Sequence, residues 1–182
     1  MITCCARGPS MPGMTSVRVR AARVEDAAGM AAVHVQSWQE TYRGLVPDRV
    51  LDDPDFARRR EQWWIKAITA GAEGTTSIAV AEQLDRIIGI ASAGDPRDDD
   101  ATWPIELFVV YVLAAFHGTG TGARLMDRVI ADLPAALWVA DPNPRAQAFY
   151  RKHGFRPDGA AKNDGIAEIR MVRPACPDTR QA

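Results

Sequence analysis

Apolar positions along this chain follow two rhythms in turn, and their alternation predicts its elements. Val17-Arg18-Val19-Arg20 alternates apolar and charged residues, the period of a half-buried strand. From about Val24 the period lengthens. Val24, Ala27, Ala28, Ala31, Val35 and Trp38 recur at helical spacing, until Tyr42-Arg43-Gly44-Leu45-Val46-Pro47 breaks the run. A second helix is predicted over about 55–70 and is ended by Gly71. Segments 77–82 and 86–92 are β-rich and joined by a short polar turn at Gln83-Leu84-Asp85, which predicts an antiparallel hairpin. An acidic loop at 95–100 leads to a long apolar strand over 105–113. A helix then begins near Thr121, with Leu125, Met126, Val129, Ile130 and Leu133 on its buried face. A short strand is predicted over 136–140.

Asn143-Pro144 opens the next helix, because Asn is a favoured N-cap and Pro suits the first helical position. Gly154 closes it. The last strand is predicted over 167–172, with a further one near Phe155. The order β-α-α-β-β-β-α-β-α-β describes an α/β (α+β) protein: a mixed, mostly antiparallel sheet flanked by helices on both faces. One domain is expected over 16–173. Residues 1–15 read as a flexible leader, with Met11 and Met14 both open as the start, and 174–182 as a loose tail.

Composition narrows the class. The chain has 182 residues, 47% hydrophobic and 25% charged, enough for one sizeable core. The net charge of -1 gives no basic excess for nucleic acid or an anionic membrane. No apolar run approaches the roughly 18 residues of a membrane span, and Gly8, Pro9, Pro12 and Gly13 interrupt any signal-peptide core. A cytoplasmic protein is expected. Cys4, Cys5 and Cys176 lie near the ends, so they neither frame the core nor, without a matching His cluster, make a metal site.

The most informative stretch runs from Glu106 to Ala123. A buried strand enters the loop His117-Gly118-Thr119-Gly120-Thr121-Gly122, which passes directly into a helix. Glycine permits positive φ and close approach of a ligand, and the free N–H groups and dipole of a helix start attract anions. The loop is therefore either a tight strand-to-helix turn or a phosphate site. A P-loop would need Lys-Ser/Thr after its last Gly, where Ala123-Arg124 stands. A dinucleotide fold fits poorly, because these glycines sit mid-chain rather than after a first strand.

This segment resembles the core motif of the GNAT superfamily of N-acetyltransferases, Gln/Arg-x-x-Gly-x-Gly/Ala, with His117, Gly120 and Gly122 at its fixed positions. Asn143-Pro144-Arg145-Ala146-Gln147-Ala148-Phe149-Tyr150-Arg151-Lys152-His153-Gly154-Phe155 resembles the second family motif, about 25 residues on. The stretch from His34 to Pro47 is also similar to many bacterial members. The resemblance covers nearly all of 17–173. It implies the acyl-CoA N-acyltransferase fold, acetyl-CoA as co-substrate, an amine acceptor and direct attack of that amine on the thioester. It leaves the acceptor open between a small molecule and a peptide, and a homodimer is compatible with the family.

The resemblance also assigns roles. His117, Gly118, Thr119, Gly120, Thr121, Gly122 and Ala123 would cradle the diphosphate. The main chain of Val110, Tyr111 and Val112 would pair with the pantetheine arm, and Asn143 would reach the cofactor besides capping its helix. Tyr150 would give a proton to the departing thiolate, a phenol near pKa 10 serving a thiol near 8.5; otherwise it is a core aromatic. Glu106 is the candidate base. It stands roughly 23 Å up-strand from the loop, about the reach of an extended pantetheine arm; otherwise it is an exposed strand-end carboxylate. His34, Trp38 and Tyr42 fall at i, i+4 and i+8 and would border the acceptor, unless Trp38 is core. Asp98-Asp99-Asp100 is either a solvated loop or a cation lure over the cleft. His153 sits where positive charge complements a helix dipole, with no catalytic part. His117 and Thr119 depart from the basic residues usual at their positions. That departure motivates an alternative, a non-catalytic acyl-CoA-binding module on the same fold. No metal is required.

Overall fold

The computed structural model describes residues 16–175 apart from Leu45 and Glu73. The expected leader, nearly all of the expected tail and all three cysteines lie outside the described residues. β1 (Arg18–Ala21) leads through a 3-10 turn into α1 (Ala27–Tyr42), α2 (Asp48–Leu51) and α3 (Phe56–Gly71). β2 (Ser77–Gln83), β3 (Arg86–Gly94) and β4 (Ile105–Val112) follow, then α4 (Thr121–Ile130), β5 (Ala135–Ala140), α5 (Pro144–Lys152), β6 (Arg156–Asn163) and β7 (Ala167–Arg173).

The strands form one sheet in the order β1-β2-β3-β4-β5-β7-β6. Its pairings are antiparallel except β4 with β5, which are parallel and joined by the α4 crossover. α1 packs on α3 and against β3 and β4, while α4 crosses β1 to β4 on the opposite face, giving the predicted mostly antiparallel sheet between helices. Met30, Trp64, Ile88, Ile90, Leu125, Ile130, Leu137, Phe155 and Met171 are fully buried between these layers. In the β2–β3 hairpin, Leu84 and Asp85 both take positive φ, 50° and 57°. That is the geometry whose twist suits a two-residue turn.

Two elements differ from expectation, and the further strand expected near Phe155 is present despite its polar sequence. α2 is a single turn, too short to show a helical period. Leu133 is 49% exposed rather than core, because α4 ends at Ile130 and Ala131 turns the chain away at φ 43°. β6 is a full strand of polar sequence, Arg-Pro-Asp-Gly-Ala-Ala-Lys-Asn. It lies at the sheet edge and pairs only with β7, so it needs no apolar alternation and tolerates Pro157.

Candidate functional site

β4 and β5 pair only from Ile105↔Ala135 to Leu107↔Leu137 and then part. Beyond Leu107 the β5 side of β4 is an open strand edge. Leu113 N–H donates to Ile88 C=O at 3.0 Å. By alternation, the main-chain groups of Tyr111 face β3, and those of Val110 and Val112 face the gap. An extended ligand arm entering that gap meets strand donors and acceptors not paired to another strand, as an added strand would, with the Val112 C=O already accepting from His117.

The gap is part of a cleft of about 480 Å³. Phe108 to Val112 form one wall, Trp138, Val139 and Ala140 another, and the last turn of α1, the start of α4 and one face of α5 close it. A second groove of about 510 Å³ near β1 and the β2–β3 turn is lined by Arg20, paired there with Asp26 and Glu82, and holds none of the glycine-loop residues and not Tyr150. Chemistry therefore points to the β4–β5 cleft.

The glycine loop forms the cleft's rim. Gly118 and Gly120 have φ of +78° and +81°, and a Cβ on either would meet nothing within 4 Å. They are needed for their backbone shape, and the space beside them is free for a ligand. Gly120 is the N-cap of α4 and supplies no side chain. The first intrahelical bond is Arg124 N–H to Gly120 C=O, so the amides of Thr121, Gly122 and Ala123 remain as donors. Thr119 Oγ1 donates to Phe116 C=O and shares a hydrogen bond with Thr121 Oγ1, bracing the loop rather than facing a ligand. Gly122 differs from its neighbours: it has no positive φ, and a Cβ there would meet the Phe149 ring at 3.5 Å, an ordinary contact, so the position does not require glycine.

His117 is placed otherwise than expected. Its Nε2 lies 2.8 Å from Val112 C=O and its Nδ1 2.7 Å from Arg145 Nη1. A guanidinium only donates, so Nδ1 accepts and Nε2 carries the hydrogen given to Val112. The imidazole is thus spent within the protein, and Arg145 is the cation it holds at the loop. Sequence reading passed over Arg145. Its place after Asn143-Pro144, on the first turn of the second motif's helix, was the available signal.

Asn143 caps α5, its Oδ1 accepting from Ala146 N–H at 3.1 Å, and it also lines the cleft. Tyr150 lines the cleft between Phe149 and Phe155. Burial first, and then the neighbouring Tyr111, push its phenol well above the usual range, so it stays protonated and is a weaker acid than a free phenol. Tyr42 also lines the cleft and is raised by burial and by the nearby charges of Tyr111, Glu168 and Tyr150.

Glu106 is not an exposed carboxylate. It is 1% exposed, absent from the cleft wall, and holds Arg97 through the main-chain N–H at 2.8 Å and the guanidinium. The cleft's wall instead carries Glu168 of β7, which sequence reading did not single out, and Glu40, whose carboxylate accepts from Ala114 N–H. His34 and Trp38 stand behind the cleft and do not line it. His34 is buried among Trp38, Phe56, Trp64 and Tyr111, and Trp38 Nε1 donates to the Tyr111 hydroxyl at 3.0 Å. Both support the Tyr111 wall. Asp98 and Asp100 are tied to Arg170, so they are not a free cation lure. His153 is lowered by burial, then by Lys152 and Arg173, against the charge expected of it at a helix end. No group of residues suited to holding a metal occurs among the described residues.

Residues 32–155 match the family model described as the Acetyltransferase (GNAT) family. An uncharacterized N-acetyltransferase of Bacillus subtilis, YuaI, is 26% identical over 162 residues, covering 85% of this chain and 88% of the relative. A probable N-acetyltransferase of Mycobacterium tuberculosis is 28% identical over 151 residues, covering 80% and 83%. Among solved structures, the PaiA N-acetyltransferase of Thermoplasma acidophilum in complex with coenzyme A has a TM-score of 0.68 at 17% identity, covering 85% of this chain and 98% of that one. This likeness is one of fold.

Proposed function

The chain belongs to the GNAT family of acetyltransferases, and from that membership we propose that it transfers the acetyl group of acetyl-CoA to an amine of a small molecule or peptide. The observation that carries this reading is one cleft holding three features in order: an uncapped helix start behind Gly118 and Gly120, an open β4 edge, and a buried phenol, Tyr150. The α4 amides and Arg145 would take the diphosphate, Val110 and Val112 the pantetheine amides, and Asn143 would lend its free amide group. The coenzyme A complex of the PaiA protein supports the same cofactor here.

In the reaction, the neutral amine nitrogen attacks the thioester carbonyl carbon, the C–N bond forms, and the C–S bond breaks with its electron pair on sulfur. Tyr150 gives its proton to that thiolate. Glu106 would act as the base only after releasing Arg97, so the amine's proton more readily leaves through another group or water. The domain is proposed to span 16–173 and to work in the cytoplasm. No helix among the described residues is long and apolar enough to cross a membrane.

Thermal denaturation of the full chain with CoA, acetyl-CoA or NAD tests the cofactor. A ligand at 100 times its Kd adds about 2.7 kcal/mol to stability. Stabilisation by the CoA species alone supports the reading, and thiol release with an amine panel then tests transfer. Binding without thiol release would favour the non-catalytic module, and a response to NAD alone would remove the reading.

A further inference from the structure

We propose that Trp138 and Glu168, facing Tyr42 across the cleft, form a cation subsite for the acceptor's protonated amine, and that Lys162 occupies it in the free protein as a tethered competitor. The proposal rests on the amine-acylation reading and names the acceptor class: an alkylamine cationic at neutral pH, which binds here as the ammonium and gives up a proton before its nitrogen attacks.

Glu168 lies directly across from Lys162 of β6 and Ala140 of β5, and Trp138 directly across from Arg170. Cross-strand partners share a sheet face, as do residues two apart, so Trp138, Lys162 and Glu168 project together. Lys162 Nζ sits 4.1 Å from the Trp138 ring centroid and 3.5 Å from Glu168 Oε2. An aromatic face beside a carboxylate is the chemistry that binds ammonium, and here an ammonium is already on it. Trp138 and Glu168 both line the cleft that Tyr150 lines, whereas Lys162 is not part of its wall and reaches the ring and the carboxylate from the neighbouring edge strand β6.

The subsite is preset. Trp138 Nε1 donates to Asp98 at 3.0 Å, and Asp98 is held by Arg170, so the ring is fixed from behind. Arg170 does not compete for Glu168, because Asp98, Asp100 and Asp158 surround it, although its guanidinium also lies 5.6 Å from the Trp138 ring centroid. Glu168's charge contributes to raising both Tyr42 and Tyr111. The carboxylate therefore acts on the same space as the phenols. Lys162 holds its place loosely, 36% exposed and in a 3.5 Å pair. An incoming ammonium would replace it on the ring and carboxylate, and the released Lys162 has solvent to enter.

The test uses the full chain with two probes: n-butylamine, which copies the Lys162 head group, and 1-butanol, its neutral counterpart. Binding is followed by calorimetric titration in every variant, and also on the indole N–H resonance in chains that keep Trp138, with and without CoA. Butylamine should bind and butanol should not. Lys162→Ala removes the competitor and should tighten butylamine about threefold or more. Glu168→Gln should weaken it about tenfold or more, and Trp138→Leu, which keeps the carboxylate, about threefold. Equal binding of the two probes, no tightening in Lys162→Ala, or unchanged affinity in Glu168→Gln would overturn the subsite. A wild-type chain that ignores CoA but still selects butylamine defeats the acyl-CoA reading and spares the cation subsite, so the two failures are distinct.

Discussion

Arg145 Nη1 donates to His117 Nδ1 at 2.7 Å, joining the first turn of α5 to the glycine loop across the mouth of the cleft. The same imidazole donates to Val112 C=O, one of the β4 edge groups. His117 therefore stands where the family resemblance expects Gln or Arg, and with both ring nitrogens bonded within the protein it leaves Arg145 as the proposed cation for the diphosphate. Arg145→Gln should weaken CoA by about tenfold to a hundredfold, the worth of a charge-assisted hydrogen bond, with the fold intact. His117→Ala should do less, since it frees Arg145 rather than removing it. Calorimetric titration of both variants with CoA checks the order; equal affinity of wild type and Arg145→Gln would remove Arg145 from the site.

The glycines separate backbone need from packing. Gly120 at φ +81° has open space around it, whereas Gly122 sits in α4 against Phe149. Gly120→Val should therefore lower stability by about 1–2 kcal/mol through left-handed strain and crowd the diphosphate. Gly122→Ala should leave CoA affinity near wild type and stability unchanged or up to about 1 kcal/mol higher. Denaturant melts and CoA titrations of the pair read this directly. Undiminished CoA affinity in a folded Gly120→Val chain would sink the cradle.

What the sequence made legible follows the range of each signal. The α4 and α5 starts were readable because Gly120 and Asn143-Pro144 act locally, within a turn. The parting of β4 from β5 was not, since nothing in Val109 or Val139 says where a parallel pairing stops. Glu106 shows the same limit. Its place at a strand start is local, but its partner Arg97 comes from a loop whose path is set by tertiary packing. Glu168 lay unread for a related reason: Ala-Glu-Ile-Arg alternates like any strand, and only β5 and β6 give that carboxylate its cleft and its Lys162.

Two substitutions should divide proton donor from structural carboxylate. Tyr150 touches the cleft and Glu106 does not. Tyr150→Phe should cut kcat about a hundredfold or more, the scale of a lost general acid, with CoA affinity nearly intact. Glu106→Gln should cost about 1–3 kcal/mol of stability, since it loosens the hold on a half-exposed Arg97, while kcat changes only a few-fold. Steady-state kinetics beside thermal melts decide between them, and a kcat collapse in a stable Glu106→Gln chain would return the base to Glu106.

The buried imidazole of His34 gives the fold a pH dependence of its own. Neither ring nitrogen has a hydrogen-bond partner, and burial, aided by the Arg60 charge, lowers its pKa to about 3 from 6.5. The unfolded chain then binds a proton that the folded one refuses between those two values. Stability from this group is complete above about pH 6.5 and falls as pH drops towards 3, by at most about 1.4 kcal/mol per pH unit. His34→Leu keeps the volume among Trp38, Phe56, Trp64 and Tyr111 and removes the proton site. Its stability should fall less steeply than wild type between pH 6.5 and 4.5. Urea unfolding across that range measures the slopes, and parallel curves for the two proteins would mean that His34 is not held neutral in the fold.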